Sequence, residues 1–123
     1  MVSRVIPVEP FDLVIFGGTG DLARRKILPG LFRRFLAGQM PGTSQVIGAA
    51  RSDMNDDAYR AMIRDAIGEF GGANAKRTEE LDAFLQRLRY VAIDAKGEGG
   101  WKELAKLVDQ DRVNAYYFSV APG

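Results

Sequence analysis

Gly17-Gly18-Thr19-Gly20-Asp21-Leu22-Ala23 stands between a short apolar run and the first helical pattern of this 123-residue chain. Glycines at a strand-to-helix turn permit tight backbone and let amides approach a pyrophosphate at the helix N-terminus. The dinucleotide fingerprints G-x-G-x-x-G and G-x-G-x-x-A use them in this way. Here Gly17 suits the turn, Gly20 clears the phosphates, and Ala23 is small enough for helix and strand to pack closely, with Thr19 replacing the middle glycine. A turn that merely connects strand and helix is the bland alternative. A Walker A loop is excluded, because G-x-x-x-x-G-K followed by Ser or Thr does not occur.

A second constellation closes the second apolar run, Val46-Ile47-Gly48-Ala49-Ala50-Arg51-Ser52. A parallel dinucleotide-binding sheet places this end beside the adenosine ribose, where NAD proteins carry Asp or Glu and where Arg pairs with the 2′-phosphate of NADP. Arg51 has no carboxylate beside it, and Thr19 and Ser52 can add hydroxyl donors, so NADP is expected over NAD. Arg51 lies further from Gly17 than the usual ~20 residues, partly through the long segment 38–44. Its alternative role is a solvated charge at a strand end. Arg24-Arg25-Lys26 is either a charged helix face or a cation cluster serving an anionic ligand, whereas Arg33, Arg34, Arg64 and Arg87 read as surface.

Zero Cys and zero His exclude more than any motif does. There is no disulfide framework, no thiolate or His-ligated metal site, no Ser-His or Cys-His nucleophile pair and no His general base. No metal site is expected. A net charge of +1 argues against a nucleic-acid or membrane partner. No run approaches the roughly 18 apolar residues of a membrane span, and residues 1–10 lack a secretory signal, so a cytoplasmic protein is expected.

The elements that must position these residues follow from periodicity. Phe11-Asp12-Leu13-Val14-Ile15-Phe16 reads as a strand buried on both faces. One helical turn is expected from about Asp21, then a break at Leu28 imposed by Pro29, then a helix with Leu28, Leu31, Phe32, Phe35 and Leu36 on one face, capped by Gly38. Residues 45–50 form a second strand. Asn55 caps a helix carrying Tyr59, Met62, Ile63, Ala66, Ile67 and Phe70, which Gly71-Gly72 ends. A helix from Thr78 presents Leu81, Phe84, Leu85 and Leu88 and leads to a strand at 90–93. A polar linker, 94–100, precedes a helix marked by Trp101, Leu104, Ala105 and Val108 and a last, almost continuously apolar strand at 113–120, the most buried-looking of the four. Alternating strands and helices predict an α/β fold, a Rossmann-like parallel sheet with helices on both faces and about four strands. Residues 1–10 read as an N-terminal extension, 11–123 as a partial dinucleotide-binding domain, with a catalytic domain to follow.

At these residues the chain resembles the glucose-6-phosphate dehydrogenases. That family carries glycine, alanine or glycine, serine or threonine, then Gly-Asp-Leu-Ala, any residue, a base and lysine at this turn. This chain reads Gly17 through Lys26 accordingly, followed by Ile27-Leu28-Pro29. The likeness continues at Ile47-Gly48-Ala49-Ala50-Arg51 and Tyr117-Phe118-Ser119-Val120-Ala121-Pro122. It implies an NADP-dependent oxidoreductase that takes hydride from C1 of glucose 6-phosphate, in a full-length protein that is a homo-oligomer. By matching position, Gly17, Gly18, Thr19, Gly20, Asp21, Leu22, Ala23 and Arg24 would hold the coenzyme. Arg51 would hold its 2′-phosphate, Lys26 would face the substrate, and Pro122 would be a cis-proline strand end near the nicotinamide. Asp21 reads equally well as a helix cap. The family's base is a His oriented by an Asp, so these 123 residues hold no complete active site. Two other readings carry different tests. A short-chain reductase needs Y-x-x-x-K, which none of the four tyrosines supplies, and a non-catalytic NADP-binding sensor would lack a downstream His motif for a sugar phosphate.

Overall fold

The structure is a computed structural model and describes residues 10–93, 100–108 and 113–118. Four strands, β1 (Phe11–Phe16), β2 (Gln45–Ala50), β3 (Leu88–Ala92) and β4 (Val113–Phe118), form one sheet in the order β3-β2-β1-β4. Every neighbouring pair is parallel, with Phe16 opposite Ala49 and Phe118, and Ala50 opposite Ala92. Leftward crossovers from β1 to β3 and a return to β4 beside β1 make the topological switch point at β1 and β4, whose carboxyl ends flank the crevice where such sheets bind ligands. The predicted fold class is the observed one.

Helices α1 (Leu28–Leu36), α2 (Asp56–Phe70) and α3 (Thr78–Leu85) cover one face, and α4 (Trp101–Leu107) covers the other. Ile15, Val46, Leu88 and Tyr90 meet Leu28, Phe32, Tyr59, Ile63, Ile67 and Phe84 on the first face. Val14, Ile47, Ala49, Val91 and Leu104 form a smaller core on the second. Fully burying each such aliphatic or aromatic side chain contributes about 1.5–3 kcal/mol, so the first face supplies most of the apolar stabilisation. Helix α2 forms for the predicted reason: the Asn55 side chain accepts from the Ala58 amide at 2.8 Å, and Asp56 and Asp57 occupy its positive first turn. Helix α1 ends at Gly38, φ +77°, whose amide reaches Phe35 O while that of Gln39 reaches Arg34 O, the paired bonds of a Schellman cap. Among the described residues no helix is long and apolar enough to cross a membrane.

Four local expectations need correction. The chain does not break before Pro29: Leu28 is helical at φ −67°, ψ −42°, and Ala23–Ile27 form a π turn running straight into α1. The Leu28 amide bonds Ala23 O, one residue wider than in an α-helix, and Pro29 falls in the first turn of α1. Leu88 belongs to β3 instead of the helix before it, because α3 ends at Leu85. The strand predicted as most buried is an edge: Val113 and Tyr116 are each 54% exposed, because β4 has a partner only on its β1 side among the described residues. Arg87 is half-buried, bonding the carbonyls of Pro41 and Ser44 at 2.9 and 3.0 Å and stacking on Phe35. It thereby pins the segment 38–44 that carries the chain back to β2. Arg64, read as surface, is exposed and pairs with Asp82.

Candidate functional site

The site is built where β1 gives way to the first helical turn. Gly17 takes φ +80°, a conformation that side chains resist, so the strand turns immediately after Phe16. The amides of Gly17 and Gly18 both donate to Ala49 O, at 2.8 and 3.2 Å, and the turn therefore hangs from the end of β2. Gly20 N–H donates back to Gly17 O at 2.9 Å, and Arg24 N–H to Gly20 O at 3.1 Å opens the helix. The helix N-terminus, with its unpaired amides and positive dipole end, thus stands at the carboxyl edge of the sheet beside the switch point.

Within the turn, the glycine that needs to be glycine for lack of space is Gly18. A Cβ there would come within 2.9 Å of Gly48 Cα and 3.2 Å of Ile15 O. Read from Gly18, the stretch Gly18-Thr19-Gly20-Asp21-Leu22-Ala23 is an unmodified G-x-G-x-x-A, so Thr19 replaces nothing. Gly17 is an additional turn residue before the motif, and Ala23, fully buried, is the small third position against the strand. Beneath Gly18 lies Tyr59, fully buried, whose hydroxyl donates to Gly18 O at 3.0 Å and whose ring occupies the space a side chain at Gly48 would need. Burial, and after it the neighbouring Tyr90, push the Tyr59 phenol well above its ordinary value, which keeps it a donor. Neither Tyr59 nor Gly48 figured as a site residue in the sequence. An isolated glycine inside an apolar strand was the only signal available.

Thr19 and Gly20 are half-buried, and Asp21 and Leu22 exposed. The Asp21 carboxylate accepts from Arg25 Nε at 2.7 Å, and the Arg25 guanidinium lies over the Phe70 ring at 5.1 Å, so Arg25 is a helix-surface residue. Arg24 is half-buried, with Nε buried and without a hydrogen-bond partner among the described residues. Lys26 is exposed in the π turn. Arg51 and Ser52 are exposed just beyond β2, two and three residues after the Ala49 carbonyl from which the glycine turn hangs. The long chain separation between Gly17 and Arg51 is thereby closed in space. Arg25, Arg60, Arg64, Arg77 and Arg89 each make an ion pair, whereas Arg51 makes none among the described residues. Pro122 lies outside the described residues.

These residues fit an anionic dinucleotide. Gly17, Gly18 and Gly20 bring no side chain to the turn before the helix N-terminus. Among the described residues, Arg24 Nε is a buried donor without a partner and Arg51 is a guanidinium without a carboxylate. A parallel sheet in the order β3-β2-β1-β4 with this turn after β1 defines a dinucleotide-binding α/β domain.

Residues 14–123 match the family described as "Glucose-6-phosphate dehydrogenase, NAD binding domain". The glucose-6-phosphate 1-dehydrogenase of Rhizobium meliloti (strain 1021) is 46% identical over 124 residues, covering 99% of this chain and 25% of that protein. The crystal structure of glucose-6-phosphate 1-dehydrogenase from Mycobacterium avium superposes with a TM-score of 0.81 at 30% identity, over 94% of this chain and 25% of that one. A glucose-6-phosphate dehydrogenase in complex with its substrate glucose-6-phosphate gives 0.79 at 26% identity, over 99% and 26%. The chain belongs to the glucose-6-phosphate dehydrogenase family and forms its nicotinamide-coenzyme-binding domain. It spans about a quarter of the length of the curated relatives it matches.

Proposed function

We propose that this chain is the coenzyme-holding part of an NADP-dependent glucose-6-phosphate dehydrogenase. The observation that carries the reading is the pair of bonds from Gly17 and Gly18 to Ala49 O, which joins the phosphate-binding turn to the strand end bearing Arg51. When bound, the coenzyme supplies the acceptor for hydride leaving C1 of glucose 6-phosphate. The chain's own residues hold and orient. The turn at 17–20 and the amides of the first helical turn, with Asp21, Leu22 and Arg24 beside them, receive the pyrophosphate. Gly18 and Ala23 allow the close approach, and Arg51 with the hydroxyls of Thr19 and Ser52 receives the 2′-phosphate. Lys26 faces the sugar phosphate. With no His among 123 residues, the base that removes the C1 hydroxyl proton comes from outside them.

Arg51→Ala in the full-length protein tests the coenzyme assignment. A charge-assisted hydrogen bond is worth roughly 1.5–3 kcal/mol, so NADP should bind about ten- to a hundredfold more weakly with NAD nearly unchanged. The wild-type preference should also shrink as salt rises, because an exposed guanidinium–phosphate pair is screened. Equal losses for both coenzymes would make Arg51 structural. A salt-independent preference unaffected by the substitution would move the discrimination to Thr19 or Ser52.

A further inference from the structure

Beyond Ala50 the chain leaves the sheet: the last β2–β3 pair is Ala50 with Ala92, and regular structure resumes only at the Asn55 cap. Residues 51–54 bridge the gap; Met54 packs against the core, whereas Arg51, Ser52 and Asp53 are exposed, so packing does little to hold those three. Among the described residues one hydrogen bond reaches this stretch. The Tyr90 hydroxyl lies 2.5 Å from Ser52 O and 3.1 Å from Ala50 O, the two carbonyls that bracket Arg51, and shares its single hydrogen between them. Ala50 O is already anchored by the Ile93 amide at 2.8 Å, so Tyr90 ties the loose Ser52 to a fixed point. Tyr90 is itself held: its ring packs on Tyr59 with centroids 5.1 Å apart, and its amide donates to the Asp56 carboxylate at 2.8 Å. Burial, and after it the charge of Asp53, raise the Tyr90 phenol above its ordinary value, so the hydroxyl stays a donor.

The two tyrosines divide the site between them. Tyr59 holds the carbonyl of Gly18 in the turn common to any dinucleotide, and Tyr90 holds the segment that differs between coenzymes. We propose that Tyr90 is a positioning residue for coenzyme selection: by clamping the carbonyls on either side of Arg51 it fixes the Arg51–Ser52 segment beside the glycine turn, and so sets the preference for a 2′-phosphorylated dinucleotide. The proposal rests on the assignment of this segment to the 2′-phosphate.

The test compares Tyr90→Phe, Tyr59→Phe and Arg51→Ala in the full-length protein by calorimetric titration with NADP and with NAD, alongside thermal melts. Tyr90→Phe keeps the ring and its packing on Tyr59 and deletes only the hydroxyl. The loss of about one hydrogen bond's worth of alignment should weaken NADP roughly fivefold while NAD changes less than about twofold. Tyr59→Phe should weaken both coenzymes alike. A merely structural role for Tyr90 would lower the melting temperature and shift both affinities together, leaving their ratio untouched, and that result overturns the proposal. An unchanged ratio in Tyr90→Phe beside a collapsed ratio in Arg51→Ala also overturns it and leaves the Arg51 assignment standing. A collapsed ratio in Tyr90→Phe with an unchanged one in Arg51→Ala supports the clamp and transfers selection to Ser52.

Discussion

Replacing Gly48 by Ala should destabilise this protein, although alanine is the better strand residue. On backbone grounds alone, removing a glycine from an element interior gains about 0.5–1 kcal/mol. Against that, the new methyl carbon would stand 2.5 Å from the Tyr59 hydroxyl oxygen and 2.8 Å from Cε2, and closer still to Cζ, deep inside contact distance. Tyr59 cannot swing away into solvent, being fully buried between α2 and the sheet and packed on Tyr90. Overpacking of this kind costs about 1–3 kcal/mol, and displacing the ring also breaks the bond to Gly18 O, worth about 1 kcal/mol. The net expectation is a loss of about 1–3 kcal/mol, read by urea denaturation, with NADP and NAD both bound more weakly because Gly18 is no longer held. The cause is separable from generic strand damage by a double-mutant cycle. Tyr59→Leu removes the three atoms nearest the new methyl group, so Gly48→Ala on that background should be neutral or slightly stabilising, a coupling of at least about 1 kcal/mol. The same cost in both backgrounds would refute the reasoning, as would a Gly48→Ala protein as stable as the wild type.

Asn55→Ala removes the side-chain acceptor of the Ala58 amide and should cost about 1 kcal/mol in denaturation, with Asn55→Gly costing only a few tenths; equal losses would show that the cap bond is not the source. Stability should fall above about pH 10, because the unfolded chain's Tyr59 and Tyr90 ionise near their ordinary pKa while the folded phenols, raised by burial, stay protonated. The slope reaches at most about 1.4 kcal/mol per pH unit for each group, and Tyr59→Phe should flatten it; a pH-independent denaturation midpoint across this range would contradict the burial argument. A contaminant-free preparation of these 123 residues should reduce no NADP on addition of glucose 6-phosphate, and measurable turnover would place the proton acceptor inside them.

How far the sequence was legible depends on whether the deciding partner lay nearby in the chain. β1 ends where it was expected because Gly17 follows an apolar run, and α2 begins at Asn55 because its cap acceptor and its amide are three residues apart. Leu88 went to the wrong element because it falls on the periodicity of α3, whereas the strand is decided by pairing with Val46 across the sheet. The break expected before Pro29 failed for a related reason. The local rule restricts the residue before proline, but burial of Ala23 and Leu28 against the core favours a continuous helix, and a π turn reconciles the two. β4 reads as buried because apolarity records that a strand needs cover and not where the cover comes from.

The candidate site divides along the same line. Its glycine turn is local, so the sequence announces it. The parts that bring the turn to Arg51 are not local: Ala49 O receives amides from the previous strand's turn, Tyr59 crosses from α2 to Gly18, and Tyr90 reaches from β3 to the carbonyls around Arg51. Each of these contacts ends on a backbone carbonyl, which every residue possesses, so no residue type at the receiving end could mark it. What the sequence does retain is the shape requirement at Gly18 and Gly48, where backbone and ring come too close for a Cβ. A glycine inside an otherwise apolar strand is therefore the trace that a distant side chain leaves, and here it points to the tyrosine that supports the site.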